Sequence, residues 1–517
     1  MTVSIFNDVI GPVMRGASSS HCAAALRIGR LARDLMEGEI SDVLIEFDRT
    51  GSLPTTHESQ GSDMGLFGGL LGWDADDERL PNSASALNAA GITTKFVYAG
   101  YGDVHPNTYR LTLTNYRETH SLIAISTGGG MIELLEIDGT KLSMFGDYFE
   151  TLLWGKRSQI VAQLSESGFG DLEVVGELVR IKSNRFVDDV AIECLRKSGD
   201  LTTVKRLHPV LPVLSRPGIE VPFTTCNELL AYDAGQSVPL WRYGLQYEMA
   251  RGDLTEQQVL EKMVDIVRIL RKSIASGLAG THYEDRVLGW QSGGFQELMQ
   301  AGKLLDGGAL NKIVLYVTAM MEVKSSMGVI VAMPTAGACA ALPGAVIAMA
   351  EELGLGEEEM AKALLASGLI GVFIATAWSF AAEVGGCQAE GGSAASMAAA
   401  ALITLAGGTL KQAVGASSMA LQSMIGLICD PIANRVEAPC LGKNVMAAAN
   451  ALCTANISLA GFDQVIPLDE VIETAKRVSA QMPRELRCTS LGGLSITPTS
   501  RAIEFRLKEN AARSCSC

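Results

Sequence analysis

Three cysteines in the second half of the chain sit where a thiolate could do chemistry: Cys387 in EVGGCQAE, Cys429 in GLICDP and Cys440 in EAPC. The first two are 42 residues apart and the last two 11, each beside a Gly or Pro where a helix tends to stop. Three thiolates so presented could hold an iron–sulfur cluster or a zinc ion, and the lack of any CxxC pair argues against a zinc ribbon. Three buried structural cysteines are the plainer alternative, and spacing alone leaves both open. Cys339, Cys453 and Cys488 fit a structural role better.

Two further segments suit small anions. In GASSSH (16–21), Ser18, Ser19 and Ser20 present hydroxyls and free amides at a helix N-terminus, beside His21. A single serine would be enough to cap that helix. MPTAGA (333–338) offers amides and the Thr335 hydroxyl, although a simple turn reads the same way. The six histidines contain no i, i+4 pair, so a helical zinc site of the HExxH kind is absent. There is no GxSxG elbow, P-loop or strand-linked GxGxxG, which leaves hydrolase, NTPase and nicotinamide readings without support.

The elements that must position these residues fall into three parts. Residues 1–150 read as α/β: helical spacing over 23–36, strands at 41–48 and 93–98, then alternating segments at 109–114 and 121–126. Residues 151–213 suggest a small β-α-β-β-α-β module, with β or mixed structure expected at 187–192. Four prolines between 209 and 222 (Pro209, Pro212, Pro217, Pro222) mark a stiff connector. Residues 214–517 are Ala-rich and helical almost throughout. The expected fold class is therefore multidomain: an N-terminal α/β domain, a small α+β module and a C-terminal all-α domain.

A net charge of −15 without a basic block excludes a nucleic-acid partner. The N-terminus shows no signal-peptide pattern, so a cytoplasmic protein is expected. Uncharged runs at 363–382 and 391–410 are long enough to cross a bilayer, which makes a transporter the rival class. They are Ala/Gly-rich and lack flanking Lys/Arg clusters and aromatic belts, which favours core helices of a helical bundle and no membrane partner.

The chain resembles the iron–sulfur-dependent L-serine dehydratases (L-serine ammonia-lyases) in their fused single-chain form. The likeness rests on IGPVMRGASSSHCAAALRIGR, GLLGWDADDERL and HPNT, then on MPTAGACAALPGA, AEVGGCQAEGGSAASMAAAAL and GLICDPIANRVEAPCLGKN. It implies that Cys387, Cys429 and Cys440 bind three irons of a [4Fe–4S] cluster whose fourth iron acts as a Lewis acid on the substrate. It also implies that a C-terminal cysteine, Cys517 or Cys515, caps that iron at rest. Ser18, Ser19 and Ser20 with His21 match the family's SSSH, as substrate contacts and proton carriers. His105 in HPNT and Thr335 match family positions at the site. The 151–213 module would be ACT-like, the substrate a small amino acid and the assembly a homodimer.

The chain departs from the family pattern at three places. Gln60 in SQGSD stands where the family carries a histidine, and an amide cannot act as a base. That leaves the proton to His21, His105 or a relocated His57, or else serine is not the substrate. Lys324 in MEVKS puts an ammonium where an amide is usual, which favours a substrate with an extra anion. The segment 284–294 (EDRVLGWQSGG) also differs. The ligand cysteines are kept while substrate contacts change.

Overall fold

The computed structural model describes residues 2–514, apart from 166, 167 and 217. Cys515, Cys517 and Pro217 therefore lie outside the described residues. The first layer is a six-stranded sheet, in spatial order Thr93–Ala99, Asp42–Asp48, Thr108–Thr114, Thr119–Gly128, Met131–Ile137 and Thr140–Met144. Only its first pair is parallel. In DVLIEFD, alternation sends Val43, Ile45 and Phe47 to one face, where the helix Ala24–Leu35 covers them with Ile28, Leu31 and Leu35.

A second helix, Ser62–Leu70, lies backbone to backbone on the first. A Cβ at Gly65 would stand 2.0 Å from the Cys22 carbonyl oxygen, and one at Gly69 would stand 2.1 Å from that of Leu26. Only glycine permits this approach, and it draws the loop carrying His57 and Gln60 up to the SSSH turn.

The four-stranded sheet runs Leu201–Leu207, Phe149–Gly155, Leu178–Ser183, Asp171–Val175, wholly antiparallel. With helices Arg157–Leu164 and Asp189–Lys197 it forms a β-α-β-β-α-β unit. The segment read as β or mixed at 187–192 is the start of the second helix: the Asp188 carboxylate accepts from the Ala191 amide at 2.8 Å and caps it. The cap outweighed the β-type side chains there.

The helical part is built around Ser393–Leu405 (SAASMAAAALITL), packed between Glu357–Ala377, Leu410–Gln422, Cys440–Leu459 and Ala341–Glu352. Small side chains let these axes approach closely. Glu357–Ala377 is, among the described residues, the one helix long and apolar enough to cross a membrane, and 78% of its apolar window is buried by its neighbours. The run at 391–410 is divided by a turn before Thr409 caps the next helix. Both runs are core helices of the bundle.

The N-terminal segment belongs to this bundle rather than to the sheet. Ile5 and Val9 fit over Gly368 and Gly371, where added Cβ atoms would come within 2.5 Å and 2.1 Å of them. Val13–Met14 then pairs antiparallel with Ile330–Val331, just ahead of MPTAGA. The Asn7 amide clamps the proline connector, donating to Val213 O at 2.7 Å and accepting from Val213 N at 2.9 Å.

Candidate active site

The thiols meet at the edge of the bundle. Cys387 follows Gly386, whose φ of +70° lets the chain turn sharply after the short helix Ala382–Gly385. Cys429 lies on an isolated bridge to the segment 486–488: its amide donates to Leu486 O at 2.9 Å, and the Cys488 amide donates back to Cys429 O at 3.2 Å. Cys440 opens the helix Cys440–Leu459. The sulfurs of Cys387 and Cys429 and a carboxylate oxygen of Glu390 lie within 4.8 Å of one another. Cys488 completes the same small buried cluster beside Cys429.

Cys429, Cys440 and Cys488 resist ionisation alone. The neighbouring Cys387 and Cys488 thiols, and burial, push Cys429 up; burial and Cys387 push Cys440 up. Cys488 is also raised: the hydrogen bond from Cys429 pulls it down, but burial prevails. Such a group gives up its protons to a bound cation, which is the behaviour of metal-ligating thiols. Lys443 sits over it, donating to Ile428 O and Asp430 Oδ1 at 2.7 Å each and approaching Cys387 Sγ at 3.7 Å. Burial alone would lower that ammonium's pKa, but the Cys387 and Asp430 charges raise it.

The N-terminal half supplies the facing wall. Ser19 Oγ accepts from the Ala336 amide at 3.1 Å, docking the SSSH turn on the MPTAGA turn. Thr335 Oγ donates to Glu390 Oε1 at 2.8 Å, so that turn is joined to the residue three beyond Cys387. His21 is fully buried, with Nε2 2.9 Å from Thr56 Oγ and Nδ1 2.9 Å from Ser18 Oγ. Thr56 donates its own proton to Ser52 O at 2.8 Å, so it accepts from Nε2–H. That leaves Nδ1 to accept from the Ser18 hydroxyl. Glu383 Oε1 lies 3.5 Å from the same Nδ1. Burial, with His57 adding to it, lowers His21 to about 3, so the imidazole is neutral at working pH. Burial raises Glu383, and raises Glu390 to about 7.

Ser18, Ser19, His21, Thr335, Cys387 and Cys429 are thus linked at one junction, with Ser20 buried on the same turn. Cys440 lies outside the Cys387–Glu390–Cys429 group and is tied to the 333–338 turn through Asn444, whose Nδ2 donates to Gly337 O at 2.8 Å and to Cys440 O at 2.9 Å. His105 is not engaged with the thiols; it sits in the loop before Thr108–Thr114, its Nδ1 accepting from the Asn107 amide at 3.2 Å. His57 has not moved in: it is held by Asp63 at 2.8 Å and Tyr98 OH at 2.8 Å. Gln60 reaches the junction instead, with Nε2 at 3.0 Å from Asn434 Oδ1 and 3.9 Å from Cys488 Sγ. Gln60 Oε1, Glu383 Oε2 and Lys324 Nζ are buried there without a hydrogen-bond partner. Sequence reasoning missed Glu383, Glu390, Lys443 and Cys488. The two glutamates carried a usable signal: they flank Cys387 in AEVGGCQAEGG, acidic residues in an otherwise apolar, glycine-rich stretch.

Comparison with known proteins agrees with this geometry. Residues 231–495 match the family described as "Serine dehydratase alpha chain". The "Probable L-serine dehydratase, alpha chain" of Bacillus subtilis is 35% identical over 285 residues, 55% of this chain and 95% of that protein. The "L-serine dehydratase, alpha chain" of Peptoniphilus asaccharolyticus is 33% identical over 280 residues, 54% of this chain and 96% of that one. The "Probable L-serine dehydratase, beta chain" of Bacillus subtilis is 34% identical over 217 residues, 40% of this chain and 97% of its own length. The family and these relatives make the chain an enzyme of the lyase class. The chain belongs to the serine dehydratase alpha chain family, and it carries the counterpart of the beta chain in the same polypeptide.

Proposed function

We propose that this enzyme removes water and then ammonia from L-serine, and from β-hydroxy amino acids of that type, with a [4Fe–4S] cluster on Cys387, Cys429 and Cys440. The observation that carries the reading is the convergence of buried thiols, Cys387 and Cys429 within 4.8 Å of each other and of Glu390, against the SSSH wall. The donor set fits such a cluster: soft, buried sulfurs on glycine- and proline-bordered turns, with Lys443 beside Cys387 to offset thiolate charge. When bound, the cluster would supply a Lewis acid that eases departure of the β-hydroxyl.

The chain's own residues do the rest. The docked turns 18–21 and 333–338 offer the Ser19 and Ser20 hydroxyls and backbone amides for the substrate carboxylate. Ser18 Oγ, with its proton directed at His21 Nδ1, forms with Glu383 a short route for the proton taken from Cα. Thr56 fixes the imidazole tautomer that this route requires. Burial of all these groups excludes bulk water from the aminoacrylate until it leaves. In this reading residues 1–150, 151–213 and 214–517 are the three domains, except that the N-terminal segment through Met14 packs with the third; the middle one is an ACT-like sensor, and the chain forms a cytoplasmic homodimer.

Anaerobic reconstitution with iron and sulfide, followed by assay of L-serine for pyruvate and ammonia in equal amounts, tests this. Cys387→Ser is expected to lose iron and turnover together; turnover by an iron-free chain would contradict the proposal.

A further inference from the structure

Lys324 lies in the last turn of the helix Ala309–Ser325 and is 1% exposed, yet its Nζ has no hydrogen-bond partner. Every other buried cation among the described residues is engaged. Arg27 donates to Gly130 O, Arg180 to Glu150, Lys205 to Glu118, and Arg251 to Thr2 O and Leu214 O. A charge buried without a partner is costly, and the favourable dipole at a helix C-terminus offsets only a small part of that cost.

The acidic groups around Lys324 are held elsewhere. Glu390 is bonded to Thr335, and Glu437 accepts from the Val287 and Leu288 amides at 2.9 Å and 3.0 Å. Glu322, on the same helix, accepts from the Gln291 amide at 2.6 Å and from Ser292 Oγ at 2.6 Å. The helix that ends at Lys324 packs against Cys440–Leu459, the helix that Cys440 opens. Burial raises Cys440, Glu390, Cys339 and Glu437, and the Lys324 charge pulls against that rise at all four. Cys387 Sγ already has Lys443 Nζ at 3.7 Å.

We propose that Lys324 binds a second negative group on the substrate, so that the site favours β-hydroxy amino dicarboxylates of the 3-hydroxyaspartate type over L-serine. This rests on the dehydratase reading above and narrows its substrate class. The reaction balances without a co-reactant. The Cα–H and Cβ–O bonds break, Cα=Cβ forms and water leaves. The enamine then takes a proton at Cβ, and the resulting imine adds water and releases ammonia, leaving a 2-oxo dicarboxylate.

The test uses the reconstituted holoenzyme with L-serine and 3-hydroxyaspartate stereoisomers as separate substrates. A charge-assisted hydrogen bond is worth about 1.5–3 kcal/mol, so kcat/KM should favour the dianion by roughly 10- to 100-fold. In Lys324→Met that ratio should collapse toward one, with iron content and melting temperature read alongside to certify the variant. A second measurement needs no variant: tartrate should inhibit the wild-type enzyme at least about tenfold more tightly than lactate, by the same contact. Equal or better use of L-serine, an unchanged ratio in Lys324→Met, or equal inhibition by both acids overturns the Lys324 assignment alone. Failure of iron-loaded enzyme to act on either substrate overturns the dehydratase reading and this inference with it.

Discussion

Replacing His21 with Gln should flatten the acid side of the stability profile. His21 is 0% exposed, and burial holds its pKa at about 3 rather than the ordinary 6.5. Between those values the unfolded chain binds the proton and the folded chain does not. The neutral ring's contribution is therefore fully present above pH 6.5 and is lost as pH falls toward 3. At 1.36 kcal/mol per pH unit, moving from pH 7.5 to 5.0 removes about 2 kcal/mol through this residue. Gln keeps a donor for Thr56 and an acceptor for Ser18 but has no proton to gain. Urea denaturation of both proteins at the two pH values gives the difference directly. The wild type should lose about 2 kcal/mol more than His21→Gln on acidification. Equal losses would refute a buried, neutral His21, and with it the tautomer that directs the Ser18 proton to Nδ1.

Lys443→Met should be costly, because it leaves Asp430, 5% exposed, with only the Leu494 amide at 3.0 Å. A loss of about 3 kcal/mol in unfolding free energy and faster removal of iron by a chelator are expected; unchanged iron retention would show that the ammonium does not matter to the thiol site. Thr335→Val keeps the shape but removes the donor to Glu390 and the acceptor for the Ala338 amide. It should destabilise by about 1–3 kcal/mol and lower kcat, measured by denaturation and by steady-state kinetics. Glu248 is buried with its pKa raised to about 7, so its folded form holds a proton that the unfolded form releases from pH 4.5 upward. Stability should therefore decline from pH 4.5 toward 7 through this group, and Glu248→Gln should reduce that decline in melting curves.

The sequence made the broad layout readable because its signals were local. Alternation in DVLIEFD and alanine-rich periodicity in SAASMAAAALITL each report one element and one buried face. The ligand-type cysteines stood out for their glycine and proline neighbours. What could not be read depended on pairing across the chain. The N-terminal Ile5 and Val9 are apolar residues like any others until Gly368 and Gly371 open space for them in the bundle. Cys488 resembled a structural cysteine because its partner, Cys429, is reached only through a two-bond backbone bridge to 486–488. Glu383 drew no reading from the sequence, because only the fold sets it 3.5 Å from a histidine far away in sequence. Gln60 was recognised as a departure, but its contacts with Asn434 and Cys488 were not foreseeable.

The most direct test of the central claim is the iron and sulfide content of the chain after anaerobic reconstitution, wild type against Cys387→Ser, Cys429→Ser and Cys440→Ser. The wild type should take up about four irons and four sulfides per chain with broad visible absorption, and each serine variant should fail to hold them. Equal uptake by all four proteins would contradict a cluster seated on these thiols.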